Sequence, residues 1–109
     1  MELVAGVFVS NLSTDQWEPD PEVGGELHVL CSGGDVEAGL SRYSNAPPEP
    51  VTYTLPKRET LLVLEGKATI EILGGPTLEL KAGDMASLPK GAHTTWHIAA
   101  PYREFWVLG

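Results

Sequence analysis

A chain of 109 residues, 42% hydrophobic and 20% charged, suits one domain with one modest core and is too apolar for general disorder. Its formal charge of −8, with seven scattered Lys and Arg, argues against nucleic acid or an anionic membrane surface as partner. Twelve glycines and nine prolines demand many turns and favour an all-β design, while Cys31, the only cysteine, leaves no intrachain disulfide and fits a reducing cytosol.

The N-terminal stretch lacks a basic region, and its apolar run is interrupted by Ser10 and Asn11. It reads as neither a signal peptide nor a membrane span, so a cytoplasmic location is expected. Leu3 to Val9 reads as a first strand, of the kind that pairs with an open edge or a second subunit. Asn11 to Val23 is a polar loop. Its Asp15, Glu18, Asp20 and Glu22 lack the spacing of a calcium loop and read as a solvated acidic face. Residues 1–23 form an arm of strand and loop, and residues 24–109 form the barrel of the same single domain.

Glu26 to Ser32 is a strand, with Cys31 as a small buried hydrophobe. Ser32-Gly33-Gly34-Asp35 is a hairpin-like turn into a strand from Val36 to Tyr43. Gly39-Leu40-Ser41-Arg42-Tyr43 begins like a nucleophile elbow. Tyr43 stands where the final glycine belongs, and no helix follows, so a serine hydrolase is rejected. Only one of Arg42 and Tyr43 faces inward. Arg42 inward makes an anion site; Arg42 outward is a solvated or interface residue.

Asn45 to Pro50 is a proline-stiffened connection to a short strand, Val51 to Leu55. Glu59 opens the next strand, which Gly66 ends. Lys67 to Leu73 alternates as a half-buried strand. Gly74-Gly75 closes a hairpin, and Thr77 to Leu80 returns. Gly83-Asp84 and Pro89-Lys90-Gly91 bracket the strand Met85 to Leu88. His93 to Ala99 and Tyr102 to Leu108 complete the chain. About ten short strands with frequent turns describe a barrel or sandwich.

Glu59 and Gly66, with six residues between them, resemble the second half of the first cupin motif. Gly83, Pro89 and Gly91 resemble the start of the second. The similarity runs from about Gly24 to Leu108. The stretches Glu59 to Gly66, Lys81 to Asp84, Leu88 to Gly91 and Thr95-Trp96 are similar to one subfamily. It includes ethanolamine-utilisation protein Q and is named for (S)-ureidoglycine aminohydrolase C-terminal-type domains. The resemblance implies an all-β jelly-roll barrel of cupin type, a homodimer, and a small molecule held in the barrel.

In metal-binding cupins the resemblance puts a His-x-His pair before the Glu and one His after the second motif. Those positions fall here on Thr52, Thr54, Glu59 and Thr94. Hydroxyls are poor ligands for a transition metal, so no cofactor is expected. If Thr94 points inward, so do Trp96 and Ile98, and His93 and His97 point outward. A one-residue bulge reverses that and offers Glu59, His93 and His97 to a divalent metal, the alternative arrangement. On the same parity Tyr53 points away from the cavity.

Glu59 is the candidate acid–base residue, because a carboxylate beside Trp96 and threonines is desolvated and its pKa rises. The structural alternative pairs it with Arg58 or Lys57. Trp96 either stacks on a ligand or plugs the barrel. Thr52, Thr54, Thr94, Trp96 and Arg42 complete the candidate ligand contacts. The expected function is binding of a small polar metabolite, with metal-independent acid–base catalysis through Glu59. The alternatives are a non-catalytic binding or assembly module and a metalloenzyme with displaced ligands.

Overall fold

Glycine and proline punctuation divides the chain into ten strands and no helix in the computed structural model, which describes residues 1–109. The strands are β1 (Glu2–Val4), β2 (Val7–Phe8), β3 (Glu18–Pro19), β4 (Glu26–Cys31), β5 (Glu37–Tyr43), β6 (Val51–Thr54), β7 (Glu59–Ile72), β8 (Thr77–Lys81), β9 (Met85–Leu88) and β10 (His93–Leu108). β1 and β2 form a hairpin of their own. The rest form one antiparallel sheet in the order β3-β4-β5-β10-β7-β8, with β6 added on β10 and β9 on β7.

β7 and β10 are long because each crosses two faces of the barrel. The first half of β7 pairs with β9 and the second half with β8. The first half of β10 pairs with β6 and the second half with β5. The two pair with each other from Thr94↔Ile72 to Leu108↔Glu59. Where they change face, the register shifts between Ala99 and Glu104, opposite Gly66. Such an irregularity bends a strand and lets one sheet curl into two layers.

Period-two alternation then fills the interior. Glu59, Leu61 and Val63 are buried before the bend in β7, and Ala68 and Ile70 after it. The change from odd to even positions is the extra residue at Gly66. On β10, Thr94, Trp96, Tyr102, Glu104 and Trp106 are buried and share even parity. Tyr43, Leu55 and Leu88 complete the core from neighbouring elements.

Four expectations are corrected here. The strand expected over Leu3 to Val9 is a hairpin, because Gly6 takes a φ of +81° and turns the chain. Gly66 does not end a strand but bends one, and the break expected after Ala99 is a bend in β10. A short strand, β3, lies within the expected acidic loop.

The arm also covers the outer face of β4, β5 and β10. His28 is held by Ser10 Oγ and the Gln16 carbonyl, each at 2.8 Å. Arg42 stacks 4.1 Å above the Trp17 ring, and Arg103 donates to the Leu12 carbonyl. No helix is long and apolar enough to cross a membrane.

Gly66 has a φ of +80°, and a Cβ there would lie 2.3 Å from the Pro101 carbonyl oxygen and 2.8 Å from that of Ala99. Gly33 has a φ of +87° but nothing within 4 Å. In urea unfolding, Gly66→Ala is expected to cost ~3 kcal/mol or more and Gly33→Ala about 1 kcal/mol. Equal losses would contradict a bend that depends on backbone contact at Gly66.

Candidate ligand site in the barrel

Inward positions of β4, β5, β6, β7 and β10 surround a cavity of about 620 Å³, and residues 18–23 form its rim. That volume lies within the usual range for small-molecule sites, about 300–1,000 Å³. β5 contributes Glu37, Ser41 and Tyr43, β6 contributes Val51 and Tyr53, and β7 contributes Glu59. β10 contributes Trp96, Ile98, Glu104, Trp106 and Leu108.

Glu59 is 7% exposed and Glu104 is 5% exposed. Glu104 accepts a hydrogen bond of 3.1 Å from the Tyr102 hydroxyl. Glu59 takes no hydrogen bond from any protein group, and it opens on the cavity. It is not paired with its basic neighbours. Lys57 donates to the Asp35 carbonyl and Arg58 to Ser87 Oγ. Burial therefore acts on Glu59 without compensation and pushes its pKa from 4.5 up to about 7. Burial likewise raises Glu104 to about 8, with the charge of Glu59 adding and the Tyr102 hydroxyl opposing. The two acids titrate as a pair.

The tyrosines respond to the same surroundings. Burial pushes Tyr53 up to about 12, with Glu59, Glu22, Asp20 and Glu37 adding. Tyr43 and Tyr102 are also raised, chiefly by burial and then by Glu104. Most neutral donors are engaged. Tyr43 donates to the Val23 carbonyl at 2.8 Å, which ties the rim to the wall. Trp106 Nε1 donates to Ser41 Oγ at 2.8 Å, and Trp96 Nε1 to Thr94 Oγ1 at 2.9 Å.

Glu59 and Trp96 thus stand together in the cavity wall, and the remaining candidates lie elsewhere. Thr52 and Thr54 are exposed, whereas Tyr53 lines the cavity. The reason is register: Tyr53 pairs with Thr94 and Val51 with Trp96, and cross-strand partners share a face. Thr94 facing inward therefore excludes Thr52 and Thr54 from the interior. Thr94 itself is buried, but it donates to the Tyr53 carbonyl at 2.6 Å and accepts from Trp96, so its hydroxyl is spent on the wall. Arg42 faces outward, paired with Glu26 at 2.9 Å, because Ser41 and Tyr43 take the inner face of β5.

The alternative set of Glu59, His93 and His97 does not converge. His93 is exposed and shares a hydrogen bond of 2.9 Å with Thr54. His97 is exposed and bonds to Glu71. Nowhere in the chain do three His, Cys, Asp or Glu side chains gather as metal ligands. Of the four residues at the family's metal positions, Thr52 and Thr54 face solvent and Thr94 is a committed hydroxyl, so Glu59 stands alone and the set does not fit a transition metal.

Glu104 is the site residue that sequence reasoning missed. Its signal is parity, since it shares even numbering with Trp96 on one strand. The apparent break at Ala100-Pro101 hid that continuity.

Both acids hold protons in the folded chain that the unfolded chain releases above pH 4.5. The folded state binds more protons over that window, so stability falls as pH rises through 7 to 8. Glu59→Gln is expected to remove part of this dependence, on the order of 3 kcal/mol between pH 5 and pH 8. Urea unfolding at four pH values checks it. A wild-type-minus-variant difference that is flat with pH would contradict the desolvation of Glu59.

The family model described as the EutQ-like cupin domain matches residues 49–105. No curated protein matches the chain. Among solved structures, a protein described as ethanolamine utilization protein Q of Salmonella typhimurium is 26% identical, with a TM-score of 0.78 over 99% of this chain and 89% of that one. The EutQ protein of Clostridium difficile is 19% identical, with a TM-score of 0.64 over 82% and 70%. A Ralstonia eutropha protein described as a mannose-6-phosphate isomerase is 22% identical, with a TM-score of 0.67 over 92% and 95%. The last two show a common fold alone. With its motifs inside a match that spans more than half its length, and with a jelly-roll barrel built as above, this chain belongs to the EutQ-like cupin domain family.

Proposed function

We propose that this small cupin binds a small polar metabolite in its barrel and performs metal-independent acid–base chemistry on it through Glu59. The observation that carries this is Glu59 itself, an unpaired carboxyl with 7% exposure that opens on a cavity of about 620 Å³. A pKa of about 7 keeps both its acid and base forms available near neutrality, where proton transfer is most effective. Glu104 supplies a second acid in the same space. Two carboxyls whose surroundings shift their protonation can divide proton donation and acceptance between them.

An open cavity disfavours the alternative of an assembly module with a self-filled barrel. Trp96 and Trp106 line the space rather than plug it. The likeness to ethanolamine utilization protein Q suggests a role in small-molecule carbon or nitrogen metabolism, without transfer of a particular reaction. A homodimer in the cytoplasm is part of the same proposal. The hairpin residues Met1, Leu3, Val4, Val7, Phe8 and Val9 are all exposed, which suits a second copy of the chain.

The test is depletion of a mixture of small polar metabolites, followed by proton NMR. Wild-type protein is expected to transform one component, and Glu59→Gln to do so at least ~100-fold more slowly with its fold intact. Wild-type protein that transforms nothing, or a variant of equal rate, would overturn catalysis by Glu59.

A further inference from the structure

The cavity lining has one sign of charge. Of its 18 residues, Glu18, Asp20, Glu22, Glu37, Glu59 and Glu104 are acidic, and none is Lys, Arg or His. The nearby cations are committed elsewhere. Arg42 lies on the outer face with Glu26 and Trp17, Lys57 is held by Asp35, and Arg58 by Ser87. A cleft lined by one sign of charge concentrates ligands of the other.

The hydrogen-bonding inventory points the same way. Tyr43, Tyr102, Trp96 and Trp106 spend their donors on Val23, Glu104, Thr94 and Ser41. Tyr53 and Ser41 retain a hydroxyl proton, while the Glu59 carboxyl offers only acceptors once ionised. Beyond those two hydroxyls and the protons that Glu59 and Glu104 retain, a bound carboxylate or phosphate would meet no donor, whereas an ammonium ion between the two acids favours their ionised, accepting forms. The buried Glu59 has no partner in the protein, so a bound N–H cation would supply what the fold withholds. Four aromatic rings, from Tyr43, Tyr53, Trp96 and Trp106, complete the walls, and aromatic faces attract organic cations.

We infer that the barrel selects a small organic ammonium ion, held between the Glu59 and Glu104 carboxylates and the faces of Trp96, Trp106 and Tyr53. This deepens the proposal that the barrel holds a small polar ligand and rests on it. A bare divalent cation is less suited, since only two carboxyls converge and no third ligand joins them.

The experiment compares four probes on the full chain at constant ionic strength: propylammonium, propionate, 1-propanol and magnesium chloride. Tryptophan fluorescence and calorimetry follow binding, since Trp96 and Trp106 line the site. So small a probe is expected to bind only in the millimolar range, so titration extends to about 50 mM. Propylammonium is expected to bind at least ~10-fold more tightly than propionate or propanol, and Glu59→Gln and Glu104→Gln each to weaken it by about tenfold or more. Near-UV circular dichroism reports whether each variant is folded; if Glu104→Gln is not, Glu59→Gln carries the comparison. Propanol or propionate binding as tightly overturns selection of a cation, yet leaves a ligand-binding barrel standing. Binding of magnesium alone, or of none of the four, overturns the inference. Loss of turnover in Glu59→Gln with unchanged propylammonium affinity overturns it too, while leaving the catalytic proposal intact.

Discussion

The antiparallel ladder between β7 and β10 is the constraint on which the rest of the molecule depends. These two strands carry most of the core and both buried acids. Each turns a corner near its middle, at Gly66 and across Ala99 to Glu104, so one ladder serves two layers. Remove the bend at Gly66, and the parity that faces Glu59 inward no longer matches that of Ala68 and Ile70 further along β7. The site is therefore a consequence of register, and not of loops that could vary independently.

Register also explains the energetics. An ionised carboxylate is costly to bury without a partner, and Glu59 has none in the protein. The cost is met by a pKa raised to about 7, so that part of the population keeps its proton at neutral pH. Glu104 is eased by Tyr102 but burdened by the charge of Glu59. Hydrophobic side chains of similar volume would stabilise such a barrel better. Buried acids with raised pKa values are the general pattern at functional sites, which supports the role proposed for the cavity. The all-acidic lining extends that field to the rim, where residues 18–23 are tied to the wall by Tyr43.

Much of the fold was legible in the residue order because glycine and proline mark the turns. β4 to β6, β8 and β9 can be read within a residue or two from their flanking punctuation alone. The same cue misleads at Gly66 and at Ala100-Pro101, where an irregular residue bends a continuing strand. Glu59 could be singled out by its place in the motif. Thr52, Thr54 and Tyr53 were assigned to the wrong faces because a motif offset fixes spacing along a chain but not parity across a ladder. The Thr94↔Tyr53 pairing settles that only in three dimensions. Arg42 and Glu104 illustrate the same point, since each depends on which neighbour across the sheet takes the inner face.

The most direct measurement is an NMR titration of the Glu59 and Glu104 carboxyl carbons in the intact protein. Both acids are expected to lose their protons near or above neutrality, and the Glu104 midpoint is expected to move down when Glu59 is changed to glutamine. Midpoints near 4.5 for both would mean the carboxyls are well solvated or paired, and would contradict a desolvated acid pair at the centre of the barrel.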